Sequence, residues 1–410
     1  MRLLLINHYA GTPALGMEYR PYYLAREWVR QGHAVQIIAG SFSHVRSRQP
    51  EMAGEPREEW IDGILYRWLP LPRYSGNGLG RAWNIGRFLW PLWRDAARLA
   101  SSFKPDAVIA SSTYPMDIWV AQRIAGFARA KLVHEVHDLW PLSPIELTGM
   151  SPQHPFIRLC QAAEDAACRD ADLVVSMLPN VHAHLASRGL DPARLVIVPN
   201  GVAPDDWRAE GTPAVALRPD VALALRPHPG ELVVGYAGSM GLPNALDTLL
   251  DAAALLRDMP LRFVLVGSGH ERERLARRIA GENLVKVQLL EAIPKAQIPA
   301  FLAAVDIAYI GWQRVPIYRF GIAPNKLMDY MMAGCSVLHS VQAGNDPVAE
   351  AGCGLTVAPE SAEAVADGLR RLAALGASER QAMGARGRAH VLAHHTYPVL
   401  AQQVIRALQR

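Results

Sequence analysis

Short apolar runs alternate with helix-like stretches along the whole chain, and this alternation constrains the fold more than any other feature. Residues 2–6 (RLLLI) are apolar on both faces of a would-be strand, as a strand inside a parallel sheet must be. A loop carrying Gly11 and Gly16 follows, then a helical stretch over 20–31 that stops at Gly32, then a second apolar run over 34–39. That is a βαβ unit. Further strands are predicted over 106–111, 131–138, 172–178 and 194–202, with helices over 121–129 and 156–169. The alternation starts afresh with strands over 231–238, 262–267, 285–290, 306–311, 335–340 and 352–357. Helices are predicted over 244–257, 271–280, 295–304 and 324–333, and three more over 360–373, 377–393 and 397–409. Parallel neighbours need long crossovers, which helices supply. Two successive alternations therefore predict an α/β chain of two doubly wound, Rossmann-like parallel-sheet domains.

The predicted boundaries are a first domain over 1–203, a linker over 204–230 and a second domain over 231–393. The linker is read from Pro204, Pro213, Pro219, Pro227 and Pro229 in a stretch with little periodicity. At 410 residues with 50% hydrophobic content, two cores are affordable to such a chain. With 42 basic against 38 acidic residues there is no basic excess of the kind nucleic acid selects. The four cysteines form no CxxC pair and no histidine cluster has zinc spacing, so no metal site is expected. The apolar run after Met1-Arg2 ends at Asn7-His8, too short for a secretory signal, and no run approaches a bilayer span. The expected location is cytoplasmic, with membrane contact only at the surface.

Ligands of doubly wound sheets bind off the carboxyl ends of the strands, so the search narrows to the loops there and to a cleft that two facing sheets would form. The segment 320–337 (FGIAPNKLMDYMMAGCSV) stands out. Pro324 suits the first turn of a helix. Asn325 and Lys326 share that turn, where free N–H groups and a full charge would seat a phosphate. Asp329 lies three residues on, placed to accept from ribose hydroxyls, and Gly334 ends the helix. The same residues also read as a capped surface helix with a solvated Lys326–Asp329 pair. Elsewhere, strand alternation sets His137 and Glu135 on one face and His134 and Asp138 on the other. Asp138 also reads as a cap for the turn that follows. The loop from Ala10 to Met17 is either a ligand-approach loop or a simple βα turn. The loop Gly238-Ser239-Met240-Gly241-Leu242-Pro243-Asn244 lacks the spacing of a dinucleotide fingerprint. Residues 81–98 carry Trp83, Trp90, Trp93 and several arginines, which suits an anionic membrane surface or a lid over an acceptor groove. Pro91 is expected to interrupt any single long helix there.

The segment 320–337 resembles the donor-site signature of glycosyltransferase family 4, which has the GT-B fold. Three more stretches match: 20–35 (R-x-Y-Y-L-A…G-H-A-V), 198–202 (V-P-N-G-V) and 267–275 (G-x-G-x-E-x-x-x-L). The subgroup with an E-V-x-D-L-W-P element, here Glu135 to Pro141, contains lipopolysaccharide and capsule transferases. The resemblance implies transfer from a nucleotide diphosphate-sugar, with retained configuration, no metal ion and no cofactor, to a lipid-linked or polysaccharide acceptor. It implies catalytic roles for His137 and Lys326. Donor contacts would come from Gly16, Gly238, Ser239, Gly241, Asn244, Ile293, Ile322, Ala323, Pro324, Asn325 and Asp329. Asp138 and Trp140 fall on the acceptor side. It also implies that the last helix, with Val399, Leu400, Val404, Ile405 and Leu408 at helical spacing, returns to the first domain, making two crossings and a hinge.

Two departures stand out. The family's E-x7-E pair is reduced to Asp329, because the earlier position is Gly321; backbone groups of Arg319 to Ala323 are expected to take over. The Arg and Lys that the family places after the first strand of the second domain are absent from 238–244, leaving Lys326 as the principal phosphate cation. Rival readings are a UDP-sugar epimerase or hydrolase on the same fold and a non-catalytic partner subunit.

Overall fold

The structure, a computed structural model, describes residues 1–76, 78–207 and 215–410. It divides into two compact units, Met1–Pro199 with Tyr397–Arg410, and Asn200–Thr396.

The first unit holds β1 (Arg2–Ile6), β2 (Ala34–Gly40), β3 (Arg57–Ile61), β4 (Ile64–Leu69), β5 (Ala107–Ala110), β6 (Lys131–Val136), β7 (Leu173–Ser176) and β8 (Leu195–Ile197). Their order in the sheet is β3-β4-β2-β1-β5-β6-β7-β8. Every pair is parallel except β3 with β4. That hairpin was not predicted. It turns at Asp62-Gly63, both at positive φ (49° and 78°), as a tight two-residue hairpin turn demands. The direction of chain progress reverses between β1 and β5, so the loops at their carboxyl ends part. Leu3 to Ile6 are fully buried, which explains why β1 matches the apolar run residue for residue.

Helix Tyr397–Leu408 belongs to this unit and packs on helix Arg20–Arg30. Trp28 Nε1 donates to Ala401 O at 3.0 Å, and the Tyr23 and Tyr397 rings stack 4.8 Å apart. Leu400, Val404, Ile405 and Leu408 are buried; Val399 is half-buried. Over 81–98 the expectation of an interrupted helix is corrected: one helix runs Leu79–Arg94 straight through Pro91, and a second follows over Ala96–Phe103. The carbonyl that Pro91 leaves without a helical donor belongs to Arg87, an exposed residue that water reaches.

The second unit holds β9 (Leu232–Ser239), β10 (Leu261–Ser268), β11 (Val287–Glu291), β12 (Ile307–Gly311), β13 (Ser336–Ser340) and β14 (Gly354–Val357). The order is β11-β10-β9-β12-β13-β14, every pair parallel. The reversal falls between β9 and β12. These two pair over Val234–Gly235 with Ile307–Ala308 and then splay. Past that point Tyr330 takes the place of a neighbouring strand: its hydroxyl accepts from Ala237 N at 2.9 Å and donates to Ala237 O at 3.2 Å. The expected linker is corrected in part. Pro219–Ala224 is a helix, and Val221, Ala224 and Leu225 are buried in the same core as Val233 and Phe301. Residues 208–214 of that stretch, Pro213 among them, lie outside the described residues.

Candidate active site

In the second unit the sequence-predicted donor residues gather at the splayed β9/β12 ends. Helix Asn325–Ala333 starts there, with Pro324 as its N-cap residue rather than its first helical residue, and no side chain caps its first N–H groups. Lys326 is not the solvated residue of a surface helix. Its ammonium donates to Tyr236 Oη at 3.0 Å and to Asn244 Oδ1. It also lies 4.8 Å from the centre of the Tyr236 ring and 6.0 Å from that of Trp312. Burial lowers its pKa to about 7. No carboxylate partners it among the described residues. Asn244 closes the loop after β9, so Lys326 brings into that loop the cation its own sequence lacks.

The glycines of this region make room for that loop. A Cβ on Gly267 would sit 1.9 Å from Gly238 O, and one on Gly269 would sit 2.3 Å from Met240 O. The G-x-G at the end of β10 thus lets Gly238 to Gly241 lie flat against it. At Gly238 itself a Cβ would meet Tyr236 Oη at 3.3 Å and Lys326 Cε at 3.4 Å. Ser239 is exposed, and its carbonyl accepts from Tyr236 Oη at 2.5 Å.

Asp329 is partly buried, with Lys295 Nζ 3.7 Å from its carboxylate. Burial raises its pKa, and Lys295 opposes the rise. Ile293, two residues before that lysine, packs at the edge of the core. The loop before the helix is tied down: Ile322 N donates to Asn345 Oδ1 at 2.7 Å, Asn345 Nδ2 donates to Ile322 O at 3.1 Å, and Asn200 Nδ2 donates to Ala323 O at 2.7 Å. Gly321 N donates to Tyr318 O at 2.9 Å. The backbone of Arg319 to Ala323 was expected to replace the missing first carboxylate; of it, Gly321 N, Ile322 N, Ile322 O and Ala323 O are already engaged within the protein.

In the first unit the corresponding strand ends carry a charged network. Arg20 Nε donates to Glu135 Oε1 at 2.9 Å, and Ser111 Oγ donates to Glu135 Oε2 at 2.6 Å. His137 Nε2 stands 3.2 Å from Glu135 Oε2 and 3.0 Å from Ser111 Oγ. The predicted alternation therefore holds for His137 and Glu135. Burial opposes a charge on His137, but the Glu135 carboxylate outweighs it and the pKa is raised. Burial likewise opposes the Glu135 charge, and Arg20 and His137 more than compensate, holding the carboxyl well below its usual range. Arg20 also donates to Val198 O at 2.8 Å and Pro199 O at 2.6 Å.

Asp138 spends its carboxylate on its own turn. It accepts from Leu139 N at 2.9 Å, Ser143 Oγ at 2.5 Å and Trp140 Nε1 at 3.3 Å, which is the capping alternative. Gly16 has φ +95°, and a Cβ there would fall 2.6 Å from Ser47 Oγ, so this glycine serves loop packing directly. Trp140 is partly exposed, with the Arg81 guanidinium 5.6 Å from its ring centre.

Residues 16–201 match the family model described as "Glycosyl transferase 4-like domain", and residues 231–374 match "Glycosyl transferases group 1". Together the two stretches span most of the chain. The chain is a GT-B glycosyltransferase. WcaI of Escherichia coli (strain K12), named for glycosyl transfer in colanic acid biosynthesis, is 22% identical over 360 residues, 84% of this chain and 86% of WcaI. A sucrose-phosphate synthase from Thermosynechococcus elongatus has the same fold, with TM-score 0.74 and 19% identity over 100% of this chain and 98% of that one. So does Anabaena HepE in complex with UDP, with TM-score 0.68 and 17% identity over 100% of both chains.

Within this glycosyltransferase, sequence reasoning missed Tyr236, Trp312, Lys295, Ser111 and the pairing of Arg20. Arg20 lay in plain view in the R-x-Y-Y stretch, but its partner is 115 residues away. The helix Leu79–Arg94 buries Ile85, Phe88 and Leu92 and turns Leu79, Trp83, Trp90 and Trp93 outward, at 90%, 66%, 62% and 41% exposure. Arg87, Arg94 and Arg98 are exposed beside them, and Arg123 lies 4.2 Å from the Trp93 ring centre.

Proposed function

We propose that this chain moves a glycosyl group from a nucleotide diphosphate-sugar, a UDP-sugar first, to a lipid-linked or polysaccharide acceptor, with retained anomeric configuration and without a metal ion or cofactor. The observation that carries the reading is Lys326, an ammonium at the switch point of a doubly wound sheet with neutral partners and no counter-charge among the described residues. A diphosphate supplies that charge. As the glycosidic bond breaks, negative charge grows on the β-phosphate oxygen, and Lys326 with the uncapped N–H groups of helix Asn325–Ala333 stabilises it. The acceptor hydroxyl adds to the anomeric carbon on the face the phosphate leaves, and its proton goes to the departing phosphate oxygen. Asp329 accepts from the ribose hydroxyls. His137 and the Gly16 loop serve the first unit's part in the reaction. HepE, of like fold, was captured with UDP, and WcaI is named for colanic acid biosynthesis; both agree with this donor and acceptor class.

We place the enzyme at the cytoplasmic face of a membrane. No described helix is long and apolar enough to cross one. The outward tryptophans of helix Leu79–Arg94, ringed by arginines, favour an anionic interface instead. The protein is expected to pellet with anionic vesicles at low salt and to be released as salt rises; protein left in the supernatant at low salt would assign the stripe to packing.

The first test is a thermal-shift panel of nucleotide diphosphates and their sugars. A ligand present at 100 times its Kd stabilises by about 2.7 kcal/mol. Product from the productive pair should keep the donor's anomeric configuration by NMR and form at an unchanged rate in chelator. No shift with any nucleotide diphosphate would overturn the donor assignment.

A further inference from the structure

The hydrogen bonds around His137 assign its protons, and with them a role for Glu135. Ser111 has one hydroxyl proton, which goes to Glu135 Oε2 at 2.6 Å. Its oxygen then accepts from Asn7 Nδ2 at 3.2 Å and from His137 Nε2 at 3.0 Å. Glu135 is held as a carboxylate and has no proton to give. Nε2 therefore carries the proton and donates to both oxygens. That leaves Nδ1, which has no partner among the described residues, as the nitrogen that meets a ligand.

We infer that Glu135 is a positioning residue: with Arg20 and Ser111 it pins Nε2 of His137 and keeps the ring an imidazolium, so that Nδ1 works as a charged hydrogen-bond donor and not as a general base. This rests on the glycosyl-transfer reading only for what Nδ1 donates to, a phosphate or sugar oxygen of the substrate. A retaining front-face reaction needs such a donor and has no use for a protein base, because the leaving phosphate takes the acceptor's proton.

The groups that face His137 come from four elements. Glu135 lies two residues earlier, on β6, and Glu18, from the loop before helix Arg20–Arg30, adds a second negative charge. Arg20 of that helix opposes the imidazolium; His134 on β6 does not, because burial and His137 itself lower its pKa to about 4 and leave it neutral. Asp117, buried in helix Asp117–Ala128, is a further acidic neighbour. Arg20 also spends its fork on Val198 and Pro199 carbonyls. It thus fixes where Glu135 stands while Glu135 faces His137 with its other oxygen. Burial and the Arg20 cation disfavour the imidazolium; Glu135 and Glu18 win by proximity and, for Glu135, hydrogen bonding.

The experiment is a pH titration of the full chain followed by 15N NMR of its histidines, with His137 identified by the signal lost in His137→Gln. In the wild type both ring nitrogens of His137 should stay protonated beyond pH 6.5, the ordinary histidine midpoint. Glu135→Gln should lower the midpoint by at least about one pH unit, a tenfold change in the protonated-to-neutral ratio. Glu18→Gln, which leaves the Arg20 contact intact, should lower it by less and serves if Glu135→Gln does not fold. Under glycosyl transfer, the alkaline limb of kcat should move with the NMR midpoint. A wild-type midpoint at or below 6.5, or one that neither substitution moves, would overturn the inference. The NMR result stands whether or not transfer is detected; a moved midpoint without nucleotide-sugar turnover would count against the glycosyl-transfer reading alone.

Discussion

His137 and Lys326 are both partly buried nitrogen bases at the carboxyl ends of parallel strands, yet their surroundings push them in opposite directions. His137 has a carboxylate oxygen at 3.2 Å and its pKa rises; Lys326 has a phenol and an amide oxygen and its pKa falls to about 7. A cation already compensated by the protein is a fixed fitting. A cation set among neutral oxygens and aromatic rings carries an unpaid desolvation cost that an anionic ligand relieves. The first unit thus stores its charge balance internally, while the second waits for the substrate to complete it.

That contrast breaks most visibly at Lys326. Lys326→Ala should cut turnover by roughly 10²- to 10³-fold, the scale for losing one group aimed at developing negative charge. An intact rate would place the diphosphate elsewhere. The same logic gives a stability prediction with the opposite sign. Because the folded pKa lies below the ordinary 10.5, folding disfavours the protonated form; the cost is full below about pH 7 and fades as pH rises toward 10.5. Lys326→Met should therefore raise the Tm of the ligand-free protein at pH 6 more than at pH 9. An equal shift at both would mean the ammonium is well solvated.

Smaller effects sharpen the picture around it. Asp329→Asn should weaken nucleotide diphosphate binding by about 1.5–3 kcal/mol, the range for a hydrogen bond to a charged group. Equal affinity by calorimetry would make Asp329 only the partner of Lys295. Gly267→Ala should cost about 1–3 kcal/mol of stability by denaturant unfolding, because its Cβ has no room against Gly238 O. A neutral effect there would mean the Gly238 loop is free to move away.

Much of this fold was legible because both-face apolar runs have few other homes. β1 and β12 follow their runs closely, as the full burial of Leu3 to Ile6 and of Ile307 to Ile310 explains. The β3–β4 hairpin escaped because the edge strand REEWI is polar, although Asp62-Gly63 signals its turn. The site was half legible. Strand alternation brought Glu135 to His137, and the helix start marked Lys326. What could not be read was the company each keeps: Tyr236 and Asn244 reach Lys326 from 90 and 82 residues away, and Arg20 reaches Glu135 from 115. Those separations are set by which strands flank the switch points, and local pattern carries no record of them. For the same reason Lys326 reads as solvated from its helix alone and is partly buried in the folded chain.

The most direct measurement is the proton balance of nucleotide diphosphate binding. At pH 8 most free Lys326 is neutral, and a bound diphosphate should recharge it. Calorimetry of UDP binding in buffers of differing ionisation enthalpy should show uptake of close to one proton, with affinity falling up to about tenfold per pH unit above 7. Lys326→Met should abolish both the uptake and the pH dependence. Binding of UDP by the wild type with no proton uptake at pH 8, or the same uptake in Lys326→Met, would contradict the claim that the second unit holds an uncompensated lysine for the diphosphate.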